Sequence, residues 1–363
     1  VTLAEALYRR RPPFPWNVVS LLLAPFGALY GALMRLRAAV YRRRAVGRRR
    51  PAFRAISVGN LTLGGSGKTP VTAFLAEKLQ GQGRRVAVVC RGYRGSLEGR
   101  SAVVADGEKL LLDAAQAGDE PVMLARRLPG VPVVIGARRV EAAALAAERF
   151  GAEVVVCDDA FSHLALPRDV DLVLVHGRDG LGNGRCTPAG PLREPPRALR
   201  RATAILLNVS SGEDPAVADE LRRAGVQCPI FRFRYGKPVL RRRSDGEPLD
   251  PAQMADPRVV AFAGTARPAD FFASLAAAGW NVAAAEAFRD HHAYTETDLA
   301  RLAQLAAARG ICYLAATEKD AVKLPAAPGV EILVARVDLA WDGDDGEALL
   351  ARASGQWPVA SGQ

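Results

Sequence analysis

The chain has 363 residues, 49% of them hydrophobic and 24% charged, which is the balance of a folded protein and leaves room for two domains. Lys and Arg outnumber Asp and Glu 49 to 38, a formal net charge of +11. That excess points to an anionic partner: nucleic acid, an acidic membrane surface or a phosphorylated substrate.

The N-terminal fifty residues differ from the rest. Trp16 to Met34 carries no charge, and a dense basic cluster follows at Arg35, Arg37, Arg42, Arg43, Arg44, Arg48, Arg49 and Arg50. A simple spanning helix needs roughly 20 apolar residues, and Pro25 and Gly27 interrupt this run. A helix lying in the membrane interface, with its arginines on anionic headgroups, accounts for both features better than a helix packed on the body of the protein. No small-residue cleavage site follows, so the segment does not read as a cleavable signal peptide.

From Phe53 to about Pro229, β-branched runs at 54–58, 85–90, 131–135, 153–157, 171–175 and 203–209 alternate with helix-like segments such as 71–80, 122–128 and 138–150. The pattern predicts a mostly parallel sheet covered on both faces, with ligands at the carboxyl ends of its strands. Ile230–Tyr235 alternates apolar and basic as a half-exposed strand does. With 237–240 it reads as an interdomain strand pair. A second αβ unit follows, with strands from Val259, at 311–315 and at 331–337, and helices at 269–278 and 296–309. The tail after Gly343 reads as loosely ordered. The expected division is a membrane-contact segment at 1–50, a core at 51–229 and a smaller domain at 230–363. Cys90, Cys157, Cys186, Cys228 and Cys312 form no C-x-x-C pair and read as reduced thiols.

Chemistry concentrates in Ile56-Ser57-Val58-Gly59-Asn60-Leu61-Thr62-Leu63-Gly64-Gly65-Ser66-Gly67-Lys68-Thr69-Pro70. A buried strand runs into a glycine loop that opens a helix, the arrangement that turns backbone N–H groups toward phosphate. Gly64, Gly65, Ser66 and Gly67 supply the cradle. Lys68 reaches the β- and γ-phosphates, and Thr69 offers its hydroxyl to Mg²⁺. Thr62 stands where the general pattern has Gly. The strand ending in Asp158-Asp159 places two carboxylates beside that loop, where a P-loop enzyme holds or orients magnesium. Gly118-Asp119-Glu120-Pro121 opens a helix and reads alone as an N-terminal cap; beside a P-loop it is a candidate base. Phe288-Arg289-Asp290-His291-His292 supplies an Asp-His pair able to orient a carboxylate. Arg91-Gly92-Tyr93 and the Gly/Pro-rich stretch from Gly182 to Pro195 follow further strands. Thr317-Glu318-Lys319-Asp320 has its lysine one place late for guanine reading.

Together these motifs resemble the tetraacyldisaccharide 4'-kinase family over nearly the whole chain. The resemblance rests on the glycine loop, Arg91-Gly92-Tyr93, Gly118–Pro121, Asp158-Asp159 with Phe161 and His163, and Gly182-Asn183-Gly184-Arg185. It also rests on Pro188–Glu194, Ala261–Gly264 with Ala266-Arg267-Pro268, Asp290-His291-His292 and Thr317–Leu324. It implies an α/β fold: a P-loop core, a smaller C-terminal domain on a two-strand linker, and an N-terminal membrane-associating helix. It further implies an ATP- and Mg²⁺-dependent kinase that phosphorylates the 4'-hydroxyl of a tetraacyl glucosamine disaccharide 1-phosphate, giving lipid IVA. Such an enzyme is a monomer on the cytoplasmic face of the bacterial inner membrane, with an anionic lipid surface and no nucleic acid as partner. The family's base maps to Asp119 and its supporting histidine to His291, with Lys68 beside them. Thr69, Asp158, Asp159 and Glu120 are the metal candidates. Arg91, Tyr93, Asn183, Arg185 and His163 are the substrate candidates. Ala160 and Ser162 depart from the family's Gly and Gln.

Two other classes fit parts of the chain. A membrane-recruited P-loop ATPase switch carries a second lysine just before the glycine loop, where this chain has Leu63. A soluble kinase or ligase of dethiobiotin-synthetase type has no use for the apolar, arginine-flanked N-terminus.

Overall fold

The computed structural model describes residues 9–10, 12–45, 51–63, 67–265, 267–325 and 329–355. Gly64, Gly65 and Ser66 of the glycine loop, Arg48 to Arg50 and Ala266 lie outside these residues.

Two helices open the described chain, α1 (Trp16–Leu22) and α2 (Ala24–Ala45), bent by 54° where Pro25 enters the first turn of α2. The first sheet is then built from β1 (Arg54–Asn60), α3 (Lys68–Gly81), β2 (Val86–Cys90), β3 (Ala102–Ala105), α4 (Ala114–Ala117), α5 (Asp119–Arg127), β4 (Val133–Ile135) and α6 (Arg139–Phe150). It continues through β5 (Val154–Asp158), β6 (Val170–His176), β7 (Ala204–Asn208), α7 (Ala216–Ala224) and β8 (Ile230–Tyr235). The second contains β9 (Val239–Arg242), β10 (Pro248–Leu249), β11 (Arg258–Ala263), α8 (Pro268–Ala277), β12 (Asn281–Ala287), α9 (Glu296–Ala307), β13 (Tyr313–Thr317), α10 (Glu318–Ala321) and β14 (Glu331–Arg336). The chain ends with β15 (Leu339–Trp341) and α11 (Asp345–Ser354).

Nine strands order as β15-β8-β7-β6-β1-β5-β2-β4-β3, and six as β10-β9-β14-β13-β11-β12. In the larger sheet only β15 and β3, at its two edges, pair antiparallel. The central strands are buried on both faces; β2 and β5 read as nearly continuous Val/Ala runs, and β1 buries even Ser57 and Asn60. Helix α3 and α5 cover one face, α6 the other. Because β1 lies between β5 and β6, the turn after β1 and the Asp pair after β5 emerge side by side at the carboxyl edge.

The chain crosses between the sheets twice, at 236–238 and at 337–338, and the Gly236 N–H donates to Asp338 O at 2.8 Å. Residues 230–235, expected with the smaller domain, pair with β7 of the larger sheet, and β15 returns beside them. The tail expected to be loose contains α11, whose Leu349 and Ala353 are fully buried in the same core as α3. The short edge strands β3 and β15 and the strand β12 escape the sequence pattern. β12 reads Asn-Val-Ala-Ala-Ala-Glu-Ala, a helix-favouring composition that pairing along β11 overrides.

Helix α2 docks through two glycines. A Cβ on Gly27 would stand 2.6 Å from Cys186 O, and one on Gly31 3.3 Å from both Cys186 Sγ and Pro195 Cγ. The opposite face carries Phe26, Leu29, Leu33, Leu36 and Val40, all exposed. No single helix among the described residues is long and apolar enough to cross a membrane; the bent α1–α2 pair reaches that length and composition together.

Candidate active site

The phosphate loop ends where α3 begins. Gly67 is the N-cap of α3 with φ +74°, a left-handed conformation that glycine adopts without strain, and a Cβ there would overlap the Tyr235 hydroxyl. Lys68 follows as the first helical residue. Its Nζ donates to Asn60 Oδ1 at 3.3 Å and lies 3.6 Å from Asp159 Oδ1. Thr69 Oγ1 donates to Asp158 Oδ2 at 3.4 Å, and Thr72 Oγ1, one turn on, to Asp158 Oδ1 at 3.0 Å.

The two adjacent aspartates live in different surroundings. Asp158 is almost fully buried. Burial raises its pKa, and Asp159 adds to the rise against the opposing Lys68. Asp159, at φ +49°, also resists ionisation through burial, but Lys68 and Arg193 outweigh that and hold it below the ordinary carboxylate range. Arg193 Nη1 contacts both Asp159 oxygens, at 3.0 and 2.9 Å. Glu120 is held up at about 7, first by desolvation and then by Asp158, with Lys68 and Lys319 pulling the other way. Its side chain is nonetheless exposed at the surface. The charges acting on Glu120 come from both sheets: Lys68, Asp158 and Asp159 from the larger, Lys319 from the smaller.

Asp119 opens α5 behind Gly118, whose φ of +89° turns the chain sharply into the helix. His291, at φ +62° in the loop after β12, places Nδ1 3.0 Å from Asp119 Oδ2. Lys323 Nζ lies 3.2 Å from the same Oδ2, and Lys319 Nζ 3.2 Å from His291 Nε2 and 3.2 Å from Asp290 Oδ1. The Tyr93 ring stands edge-on to His291 at 6.5 Å between centroids. A carboxylate–histidine pair thus joins the two sheets, and Glu120, the neighbour of Asp119, feels the charges of both Lys68 and Lys319.

The description "Tetraacyldisaccharide-1-P 4'-kinase" belongs to the family whose profile matches residues 19–354. The chain belongs to this family. Relatives called tetraacyldisaccharide 4'-kinase include one from Anaeromyxobacter dehalogenans strain 2CP-C, 42% identical over 350 residues, covering 92% of this chain and 90% of that protein. Another, from Geobacter sulfurreducens, is 43% identical over 311 residues, covering 85% of this chain and 86% of that protein. Among solved structures, the one described as the "apo" form of LpxK from Aquifex aeolicus in complex with ATP superimposes with a TM-score of 0.75 at 28% identity, covering 93% of this chain and 98% of that one. The α/β fold with its N-terminal helix pair is the fold expected of this kinase family.

The other residues expected in the kinase site divide. Tyr93 reaches the His291 crevice. Arg91, largely exposed, pairs with Glu98 at 3.2 Å. His163 is held down at about 4, by burial first and then by Arg139, Arg168, Arg37 and Arg91 around it. It is a neutral ring in a basic surround. Asn183 and Arg185 make their hydrogen bonds to the N-terminal helix and the glycine-rich loop. Asn183 Nδ2 donates to Ser20 Oγ at 3.0 Å and Ala189 O at 2.9 Å, and Arg185 Nη1 to Ser20 O at 3.0 Å. They fasten α1 to the glycine-rich loop. Ser162, in the place of the family's Gln, donates its hydroxyl at 2.7 Å to Glu194, which is paired with Arg201.

Among the described residues, no cluster of three or more His, Cys, Asp or Glu is close enough to cage a metal ion. Mg²⁺ does not need one, since it is commonly held by one or two protein oxygens with water and phosphate completing the shell. Thr69, Asp158 and Glu120 fit that role. They are hard oxygen donors, and two of them are carboxyls that resist ionisation, chiefly through desolvation and for Glu120 next through Asp158. Sequence reasoning gave no role to Lys319, Lys323, Arg193, Asn60 or Thr72. The lysines and Arg193 lay inside quoted motifs; their partners are distant in sequence, which hid their part in the site.

Proposed function

We propose that this kinase moves the γ-phosphoryl group of ATP to the 4'-hydroxyl of a tetraacyl glucosamine disaccharide 1-phosphate, giving lipid IVA. The observation that supports the reading is the Asp119–His291 pair, joined at 3.0 Å across two sheets, with Glu120 beside Asp119 feeling the charge of Lys68.

A sugar hydroxyl is a weak nucleophile, and phosphoryl transfer depends mostly on positioning and charge neutralisation. Gly67 and the start of α3 present N–H groups to the triphosphate, and Lys68 lies against its β- and γ-phosphates. Thr69, Asp158 and Glu120 would hold Mg²⁺, which neutralises phosphate charge. Asp119 takes the proton from the acceptor hydroxyl while His291 orients it. Asp159 keeps Lys68 and Arg193 aligned at the loop. Tyr93 flanks the acceptor, and the basic surround of His163, with Arg91, faces its anionic group.

The acceptor's acyl chains remain in a bilayer. The exposed stripe Phe26, Leu29, Leu33, Leu36 and Val40 of α2, with Arg35, Arg42 and Arg43 nearby, matches an interfacial helix on an anionic leaflet. We place the protein on the cytoplasmic face of the inner membrane, with the P-loop core and smaller C-terminal domain closing on ATP from the water side.

The deciding experiment incubates the protein with γ-labelled ATP and the lipid disaccharide in detergent micelles. Labelled lipid is the expected product. ATP hydrolysis without lipid labelling would instead identify an ATPase switch.

A further inference from the structure

Beyond the Asp119–His291 pair, the lysine on the far side of the imidazole has a geometry with chemical consequences. His291 offers two ring nitrogens, and the nearest polar atom to each is of a different type. Nδ1 faces the Asp119 carboxylate at 3.0 Å, a group that only accepts when ionised. Nε2 faces Lys319 Nζ at 3.2 Å, an ammonium that only donates. A neutral ring satisfies both partners in one tautomer alone: proton on Nδ1, lone pair on Nε2. Lys319 is itself held in place by Asp290 Oδ1 at 3.2 Å, and it sits in the first turn of α10, directly after β13. The remaining groups facing the ring are the Tyr93 edge and Asp290 Oδ1, 4.0 Å from Nε2.

The same geometry sorts the two oxygens of the base. His291 Nδ1 and Lys323 Nζ both approach Oδ2, at 3.0 and 3.2 Å. Among the described residues neither a hydrogen bond nor an ion pair reaches Oδ1.

We propose that Lys319 is a positioning residue of the phosphoryl transfer: it fixes His291 as the Nδ1–H tautomer, so that His291 donates to Asp119 Oδ2 and Oδ1 is left to accept the proton of the sugar hydroxyl. This rests on the kinase reading above. In the step so arranged, the O–H bond of the acceptor breaks and its proton goes to Oδ1. The acceptor oxygen forms the new bond to the γ-phosphorus, and the bond from that phosphorus to the β-γ bridging oxygen breaks, its electron pair leaving with ADP. The opposite tautomer would direct a bare Nδ1 at the carboxylate and an N–H at an ammonium, two repulsive contacts in place of two attractive ones. Lys319 therefore acts through the ring, not on the substrate.

The test combines nuclear magnetic resonance of ¹⁵N-histidine-labelled full-length protein with steady-state kinetics, on wild type, Lys319→Met and Lys319→Arg. Resonances are assigned with His291→Gln. In the wild type the His291 pair is expected to show a protonated Nδ1 and a bare Nε2. Lys319→Met is expected to lose that single-tautomer pattern. It is also expected to lose about 10²-fold in kcat, at the low end of what a positioned proton acceptor contributes, with KM for ATP and for the lipid within about twofold. Lys319→Arg, which keeps the donor, is expected to restore the pattern and most of kcat. A wild-type His291 carrying its proton on Nε2 overturns the proposal, as does a Lys319→Met protein that keeps both the wild-type tautomer and the wild-type kcat. Unchanged ATP binding in Lys319→Met excludes misfolding as the cause of lost turnover. The spectroscopic arm needs no lipid. A wild type with the expected tautomer but no labelled lipid would therefore refute the kinase reading while leaving the tautomer lock in place.

Discussion

Asp119 and His291 are 172 residues apart in the chain and 3.0 Å apart in space. One opens a helix on the nine-stranded sheet and the other lies in the loop after β12 of the six-stranded sheet, so the pair exists only when the two sheets are packed together. Asp119→Asn preserves shape and removes the acceptor. Turnover is expected to fall roughly 10²- to 10⁴-fold, while ATP affinity by titration calorimetry stays within twofold or so, because Lys68 and Thr69 are untouched. Near-normal kcat in Asp119→Asn would remove the base assignment.

Glu120 gives the site a pH dependence. Desolvation, and then Asp158, hold it at about 7, above the ordinary value for Glu, so the proton favours the native protein. That contribution is fully present below the unfolded-state value and is lost as pH rises through about 7; Asp158, also raised, acts in the same direction. Relative to Glu120→Gln, the metal-free wild type is expected to lose melting temperature between about pH 5 and pH 8. Binding of magnesium-ATP near neutral pH is expected to release a proton, because the metal needs the carboxylate. Calorimetry in buffers of different ionisation enthalpy measures the release. A release of equal size in Glu120→Gln would assign it to another group.

Arg127 ends the helix that Asp119 begins. Its side chain is only 4% exposed, lies 3.0 Å from Glu318 Oε2, donates to Val337 O at 3.1 Å and contacts Asp338 at the second crossing between the sheets. Arg127→Met strands Glu318 in a protein-lined site. Breaking a buried pair from one side costs about 3–5 kcal/mol, which urea denaturation reads directly. Arg138→Met, removing a partner from the exposed Arg138–Glu141 pair, is expected to change stability by less than about 0.5 kcal/mol. Equal effects from the two variants would mean that Arg127 does not lock the sheets together.

The outward face of α2 separates docking from folding. Leu29 and Leu33 are 60% and 51% exposed, so Leu29→Asp with Leu33→Asp is expected to leave the melting temperature within about 2 °C of wild type. The same double variant is expected to lose at least about tenfold in binding to vesicles containing anionic lipid, read by co-sedimentation. Raising salt weakens the wild type as well, through the arginines. Retained vesicle binding would place the lipid contact elsewhere.

Much of this was legible because it is local. The glycine loop, the strand before it and the carboxylate-ended strand each follow from period, propensity and φ requirements within a few residues. Expected strands such as 85–90 and 153–157 lie within a residue of β2 and β5. The family too is carried by ordered local motifs. Pairings across the chain were another matter. Arg185 has the composition of an anion binder, yet Ser20, 165 residues earlier, takes it for the helix anchor. Nothing near Lys319 or Lys323 in sequence reveals that their partners are His291 and Asp119. α11 is short and flanked by Gly and Asp, and only the apolar face it finds beside α3 makes it a helix.

The sequence by itself determined the phosphate cradle, the alternating α/β pattern and the family, since backbone sterics and hydrophobic period act over one or two turns of chain. The tertiary structure alone decided which oxygen of Asp119 is occupied, which groups face the two nitrogens of His291 and that Arg185 is held by α1. Those depend on short-range charge and hydrogen-bond geometry between atoms that only the packing of two sheets brings within 4 Å or so.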